Sequence, residues 1–228
     1  DKKHQLDPEN RLLAHGPRFR MDAEMIRDVA LFHSGLLVKT IGGPSVKPYQ
    51  PKGIWKAVGY SGSNTVKFSR DQGEKLYRRS MYTFWKRTAP PPSMQIFDAP
   101  SRESCAVRRS RTNTPMQALV LMNDEQFVEA ARQFAQRMLT TGGESDRDKL
   151  AFGFRSVTSR FPTTQELDIM VAVLRDHRQR YHGDQEAAQQ LIHIGESTVD
   201  ETLDAQELAS WTMIGNLLLN LNETITKN

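Results

Sequence analysis

Helix-start signals crowd the second half of this chain, and prolines crowd its middle. Thr114 with Gln117, Asn123 with Gln126, Thr163 with Glu166 and Asp204 with Glu207 each set a capping side chain three residues ahead of a Glu or Gln. Pro115 adds a proline at a first helical position. Seven of the eleven prolines instead fall between residues 38 and 112. Proline lacks an amide donor and blocks helix interiors, so that stretch cannot be long regular structure. The pattern predicts one mainly α-helical domain over 1–228. A polar start and first helix occupy 1–37, an irregular proline-rich segment wraps over 38–112, and a helical array fills 113–228. Short connections in the array favour antiparallel neighbours.

The first helix is predicted to start at Asp22, with Ile26, Val29, Ala30, His33, Leu36 and Leu37 on one face and Gly42-Gly43-Pro44 beyond its end. A helix or extended segment is expected over Gly73–Arg87, with Leu76, Tyr77, Met81, Phe84 and Trp85 as its apolar set. Pro90-Pro91-Pro92 should stop it in polyproline II geometry. Further on, Pro115–Met122 reads as a short helix. A helix capped by Asn123 carries Phe127, Ala130, Ala131, Phe134 and Met138 and ends at Gly142-Gly143. Helices follow over Arg147–Ser159, from Thr163 to Tyr181, and over Gln185–Ile194. The last opens at Asp204, with Leu208, Trp211, Ile214, Leu218, Leu221 and Ile225 inward.

The charge balance narrows the function classes. Thirty-one basic against 27 acidic side chains leave a net charge of +4, and the surplus is local. Arg102, Arg108, Arg109 and Arg111 lie within ten residues, just ahead of the helix start at Thr114. Guanidiniums beside a helix N-terminus make an anion site, because free N–H groups and the macrodipole add to their charge. Arg18 and Arg20 form a second pair ahead of Asp22. The plainer reading is that these arginines bridge segments and satisfy loop carbonyls. Interspersed acids argue against a nucleic-acid binder, which needs one continuous basic face. No apolar run approaches the roughly 20 residues of a membrane span.

For catalysis the candidates are Asp22, Glu24 and Glu103, as acid/base groups beside anion-binding arginines. Against this, Asp22 and Glu24 suit a helix N-terminus as cap and dipole partner. Cys105, the single cysteine, excludes an internal disulfide. It would be nucleophilic only if the neighbouring arginines lowered its pKa, and a buried small hydrophobe is the preferred expectation. The histidines His4, His15, His33, His177, His182 and His193 include no His-x-x-x-His pair, so no metal site is expected. His33 reads as a core histidine. Trp55, Tyr60, Tyr77, Tyr82, Phe84 and Trp85 suit packing of the wrap better than sugar stacking. Gly59-Tyr60-Ser61-Gly62 is one residue short of a nucleophile elbow. No Cys-x-x-Cys-His is present, so this chain attaches no c-type haem itself. The start at Asp1-Lys2-Lys3 reads as a fragment or processed form.

Three blocks carry a family resemblance: NRLLAHGPRFRMDAEMIRD from Asn10, RRSMYTFWKRTAPPPSMQIFDAPSRESCAVRRSRTNTPMQALVLMNDEQF from Arg78, and LDAQELASWTMIGNLLLNLNETITK from Leu203. Together they resemble the C-terminal domain of large planctomycete-type cytochrome-associated proteins, a domain of unknown function. The resemblance implies an upstream c-type cytochrome domain and a second uncharacterised domain as partners, haem on the upstream domain alone, and a periplasmic or otherwise extracytoplasmic location. It supplies no catalytic residues. The reading that results is an accessory module that binds an anionic glycan or a partner domain through Arg18, Arg20, Arg102, Arg108, Arg109, Arg111 and Thr114. The competing reading is an enzyme acting on complex polysaccharide. It calls for carboxylates roughly 5–10 Å apart in an open cleft.

Overall fold

The computed structural model describes residues 5–14, 16, 18–60, 62–63 and 65–227. His4, His15 and Ser61 lie outside the described residues. The fold is mainly α. Its elements are β1 (Phe19–Arg20), α1 (Ala23–Ser34), α2 (Ile54–Ala57), α3 (Pro92–Ile96), α4 (Pro115–Asn123), α5 (Glu125–Thr141), α6 (Asp146–Thr158), α7 (Thr164–His182), α8 (Gln185–Ile192), α9 (Ala205–Leu219), α10 (Asn222–Ile225) and β2 (Thr226–Lys227). Two 3-10 turns, Gly73–Tyr77 and Ser80–Tyr82, precede α3.

The core is built on α5 and α9. Ala130, Ala131, Phe134, Ala135 and Met138 of α5 are buried, as are Leu208, Trp211, Ile214 and Leu218 of α9. Small residues let the two backbones come close: a methyl group at Gly215 would stand 2.6 Å from the Ala131 carbonyl oxygen. Around this pair, α1 covers α5, while α7 and α8 cover α9. Burying Trp211, Phe134 and the aliphatic side chains contributes about 1.5–3 kcal/mol for each large side chain. The two strands join the ends of the described chain, with Phe19 opposite Lys227 and Arg20 opposite Thr226 in an antiparallel pair.

The caps set the helix boundaries. Thr163 accepts from Glu166 N while Glu166 accepts from Thr163 N, a reciprocal box. Asp204 accepts from the amides of Gln206 and Glu207. Asn123 is not the cap of α5: it closes α4, and Asp124 accepts from Gln126 N at 3.1 Å. The first helix stops at Ser34, because Gly35 takes φ +82 at its C-cap, so Leu36 and Leu37 lie beyond it. Gly73–Arg87 is neither one helix nor one extended segment but the two 3-10 turns, and Met81 is exposed. The triproline run does not simply end structure, since Pro92 is the first residue of α3.

The irregular segment is held by buried arginines. Arg27 is 3% exposed and donates to Gln126 Oε1, to the carbonyls of Leu76 and Arg78, and to Ser80 Oγ. Arg78 donates to Pro44 O at 2.8 Å and to the carbonyls of Gly42 and Thr40. Arg132 donates to the Ser197 and Thr198 carbonyls. A segment without ladders must find donors for its carbonyls, and guanidiniums supply several at once. Beside them lies Glu129, wholly buried, whose Oε1 accepts from Tyr77 OH and from the amides of Glu196 and Ser197.

Candidate functional site: a cationic cleft at the start of α4

Three stretches distant in sequence meet where the β1–β2 pair passes the N-terminus of α4. They enclose a cleft of about 680 Å³. Strand β1 and its approach supply Arg18, Phe19 and Arg20. The loop before α4 supplies Arg108, Arg111, Thr112, Asn113 and Thr114. The C-terminal end supplies Asn220, Asn222, Ile225 and Thr226. The rim at Thr114 is fixed from within. Gln117 is buried, its Oε1 faces Thr114 N at 3.5 Å, and its Nε2 donates to Ile96 O and Thr112 O.

The arginines divide by partner. Arg18 and Arg108 line the cleft and make no ion pair among the described residues. The Arg20 side chain is 9% exposed. Its Nη2 lies 2.5 Å from Asp98 Oδ2, while its Nε and Nη1 have no partner among the described residues. Arg111 stacks over the Phe19 ring at 4.4 Å, with Nε 3.9 Å from Asp22. Arg109 faces away from the cleft and clasps Glu24 at 2.7 and 3.3 Å, with Asp22 at 3.5 Å. Arg102 also stays outside, over the Trp85 ring at 4.6 Å. The structure thus brings Arg18, Arg20, Arg108, Arg111 and Thr114 to one cleft and commits Arg109 to tying the loop to α1.

The carboxylates named from the sequence do not line this cleft. Asp22 is the N-cap residue of α1, but its side chain makes no capping hydrogen bond and faces Arg109 and Arg111 instead. Burial pushes the Glu24 carboxyl up, but the Arg109 hydrogen bond and the charges of Arg109 and Arg102 outweigh it. The net position lies below the ordinary carboxylate value. A general acid needs the opposite shift. Glu103 is exposed on the loop. Cys105 is exposed too, contrary to the expected buried position, because the loop around it lies on the surface. His33 sits 6.1 Å from the Phe134 ring, and burial, with Arg137 nearby, pushes its pKa down to about 4. Among the described residues no three His, Cys, Asp or Glu side chains gather as a metal site. No described helix is long and apolar enough to cross a membrane. Trp55 is buried against Phe68 and Phe84, while Tyr60 is exposed.

Several cleft residues carry no sequence signal. Asn220, Asn222 and Thr226 come from segments whose spacing suggests nothing chemical, and only the β1–β2 pairing brings these C-terminal residues to the arginines.

Comparison with known proteins places the chain in a family without giving it an activity. The family model PSD1, a protein of unknown function (DUF1553), matches residues 1–174, and the chain belongs to that family. No curated protein and no solved structure matches.

Proposed function

We propose that this member of the PSD1 family is a binding module whose cationic cleft takes an anionic glycan. One observation carries the reading: Arg18 and Arg108 line the same cleft beside the capped start of α4 and make no ion pair among the described residues. Free polar side chains beside them suit hydroxyl groups. Asn113 and Asn220 line the cleft and make no side-chain hydrogen bond among the described residues. The resemblance of the three blocks to cytochrome-associated proteins is the support for reading the module as part of a larger extracytoplasmic protein, next to a c-type cytochrome domain that carries its own haem.

The catalytic reading has less support, because Glu24 is held ionised by Arg109 and no carboxylate lines the cleft among the described residues. The test is binding of the protein to neutral, carboxylated and sulfated oligosaccharides at low and moderate salt, with product analysis on the same samples. Salt-sensitive binding without cleavage is expected. Arg108→Ala and Arg111→Ala should each weaken it by about tenfold, the worth of one charge-assisted hydrogen bond. Binding unchanged in both variants, or cleaved product, would overturn the proposal.

A further inference from the structure

Among the described residues, Asp98 is the one acidic side chain bonded to an arginine of the cleft at hydrogen-bond distance. It stands two residues beyond α3 with φ +59, a left-handed conformation uncommon outside glycine but tolerated by Asp and Asn. Its carboxylate is 16% exposed. Oδ2 accepts from Arg20 Nη2 at 2.5 Å and from Thr112 N at 2.8 Å, and Oδ1 accepts from Thr112 Oγ1 at 3.0 Å. A guanidinium, a backbone amide and a hydroxyl converging on one carboxylate are what a cleft offers to an anionic ligand. Here the chain supplies that anion itself. Arg20 is left with two buried donors that lack an acceptor, a costly state in a nine-tenths buried side chain.

We infer that Asp98 is a tethered competitor: it occupies the Arg20–Thr112 seat of the anion cleft and lowers the affinity for the external ligand. This rests on the reading of the cleft as an anion site. The ligand enters along Arg18, Arg108 and the start of α4. It gains the Arg20 seat only by displacing Asp98, whose negative charge, held against the lining residues Arg20 and Thr112, also repels the ligand. The opposite role is a positioning residue that holds Arg20 in place for the ligand. The two roles predict opposite signs.

Asp98→Asn separates them. Asparagine keeps the shape, the tolerance of positive φ and an oxygen for Thr112, and removes the charge. With a heparin-derived tetrasaccharide and trigalacturonate as probes, calorimetric Kd values for the variant should tighten by about tenfold, the effect of deleting one nearby like charge at intermediate dielectric. Adding Arg20→Ala to Asp98→Asn should abolish the gain. Thermal melts of each variant check that the fold is kept. Equal or weaker binding by Asp98→Asn, with wild-type binding still weakened in Arg108→Ala and Arg111→Ala, overturns the competitor and leaves the cleft standing. Binding indifferent to Arg108 and Arg111, or no binding of either probe by wild type and Asp98→Asn alike, overturns both.

Discussion

Replacing Gly215 with alanine tests the central packing contact. In an open helix the change would stabilise by about 1 kcal/mol, because alanine is the better helix former. Here the new methyl would meet the Ala131 carbonyl oxygen at 2.6 Å, where ordinary contact starts at 3.4 Å. The two helices must therefore part by about 0.8 Å, and a dense core resists such a shift. The obstacle is backbone, which cannot rotate aside. Separation also loosens Trp211, Ile214 and Leu218, all fully buried. Overpacking costs roughly 1–3 kcal/mol, and the rigid obstacle puts this site at the upper end. The net loss is about 1–2 kcal/mol, a fall in Tm of roughly 2–8 °C for a chain of this size. Gly153→Ala is the contrast. Its methyl meets the Met138 thioether and a Leu218 methyl, which are side-chain atoms that can shift by rotating rather than backbone, so its loss should be smaller. Thermal unfolding by far-UV circular dichroism reads both. A Gly215→Ala protein that melts at or above wild type would refute the close α5–α9 contact.

Removing Glu129 by Glu129→Ala strips the partner from the buried Tyr77 OH and from the part-buried amides of Glu196 and Ser197. A loss of about 3 kcal/mol or more in urea unfolding is expected. The hydrogen bond from Arg160 holds the Glu166 carboxyl at about 2, below the ordinary value near 4.3. A depressed folded pKa stabilises above the unfolded pKa, so this contribution is full above about pH 5 and disappears as pH falls toward 2. Arg160→Ala should flatten that part of the stability–pH curve, and should cost under about 1 kcal/mol at neutral pH because the pair is exposed. Burial holds His33 neutral to about pH 4, whereas the unfolded chain protonates near 6.5. Stability should therefore fall as pH drops from about 6.5 to 4, and His33→Asn should remove that slope. Exposed Cys105 should react with a maleimide in the native state at the rate of a free thiol, with no change in Tm.

Helices whose start is written in side-chain chemistry were legible. The Thr163–Glu166 box and the Asp204 cap stand where their spacing puts them. Asn123 was displaced by Asp124 because both residues have cap chemistry and only the packing of α4 against α5 decides between them. The first helix looked longer than it is because Leu36 and Leu37 continue the apolar period past Gly35, where the backbone has already turned. Among the cleft residues, charge density marked Arg108 and Arg111, and the cap marked Thr114. The same density could not show that Arg109 faces Glu24 or that Asp98 reaches Arg20. Those contacts depend on where an irregular loop lies, and no periodicity encodes that. The β1–β2 pair is two residues long on each side, too short for any pattern, yet it delivers the C-terminal wall of the cleft. No cap or spacing signal singled out Arg27, a buried donor to the irregular segment. Its burial lowers its pKa to about 10 and leaves it a cation at neutral pH.

The central claim is that anions bind between β1 and the start of α4. Amide hydrogen exchange of the whole chain, with and without a heparin-derived tetrasaccharide at low salt, tests it directly. Protection confined to residues 18–20, 108–118 and 220–226, and lost as salt rises, is the predicted result. Protection centred on another face, or none while the ligand is bound, would contradict it.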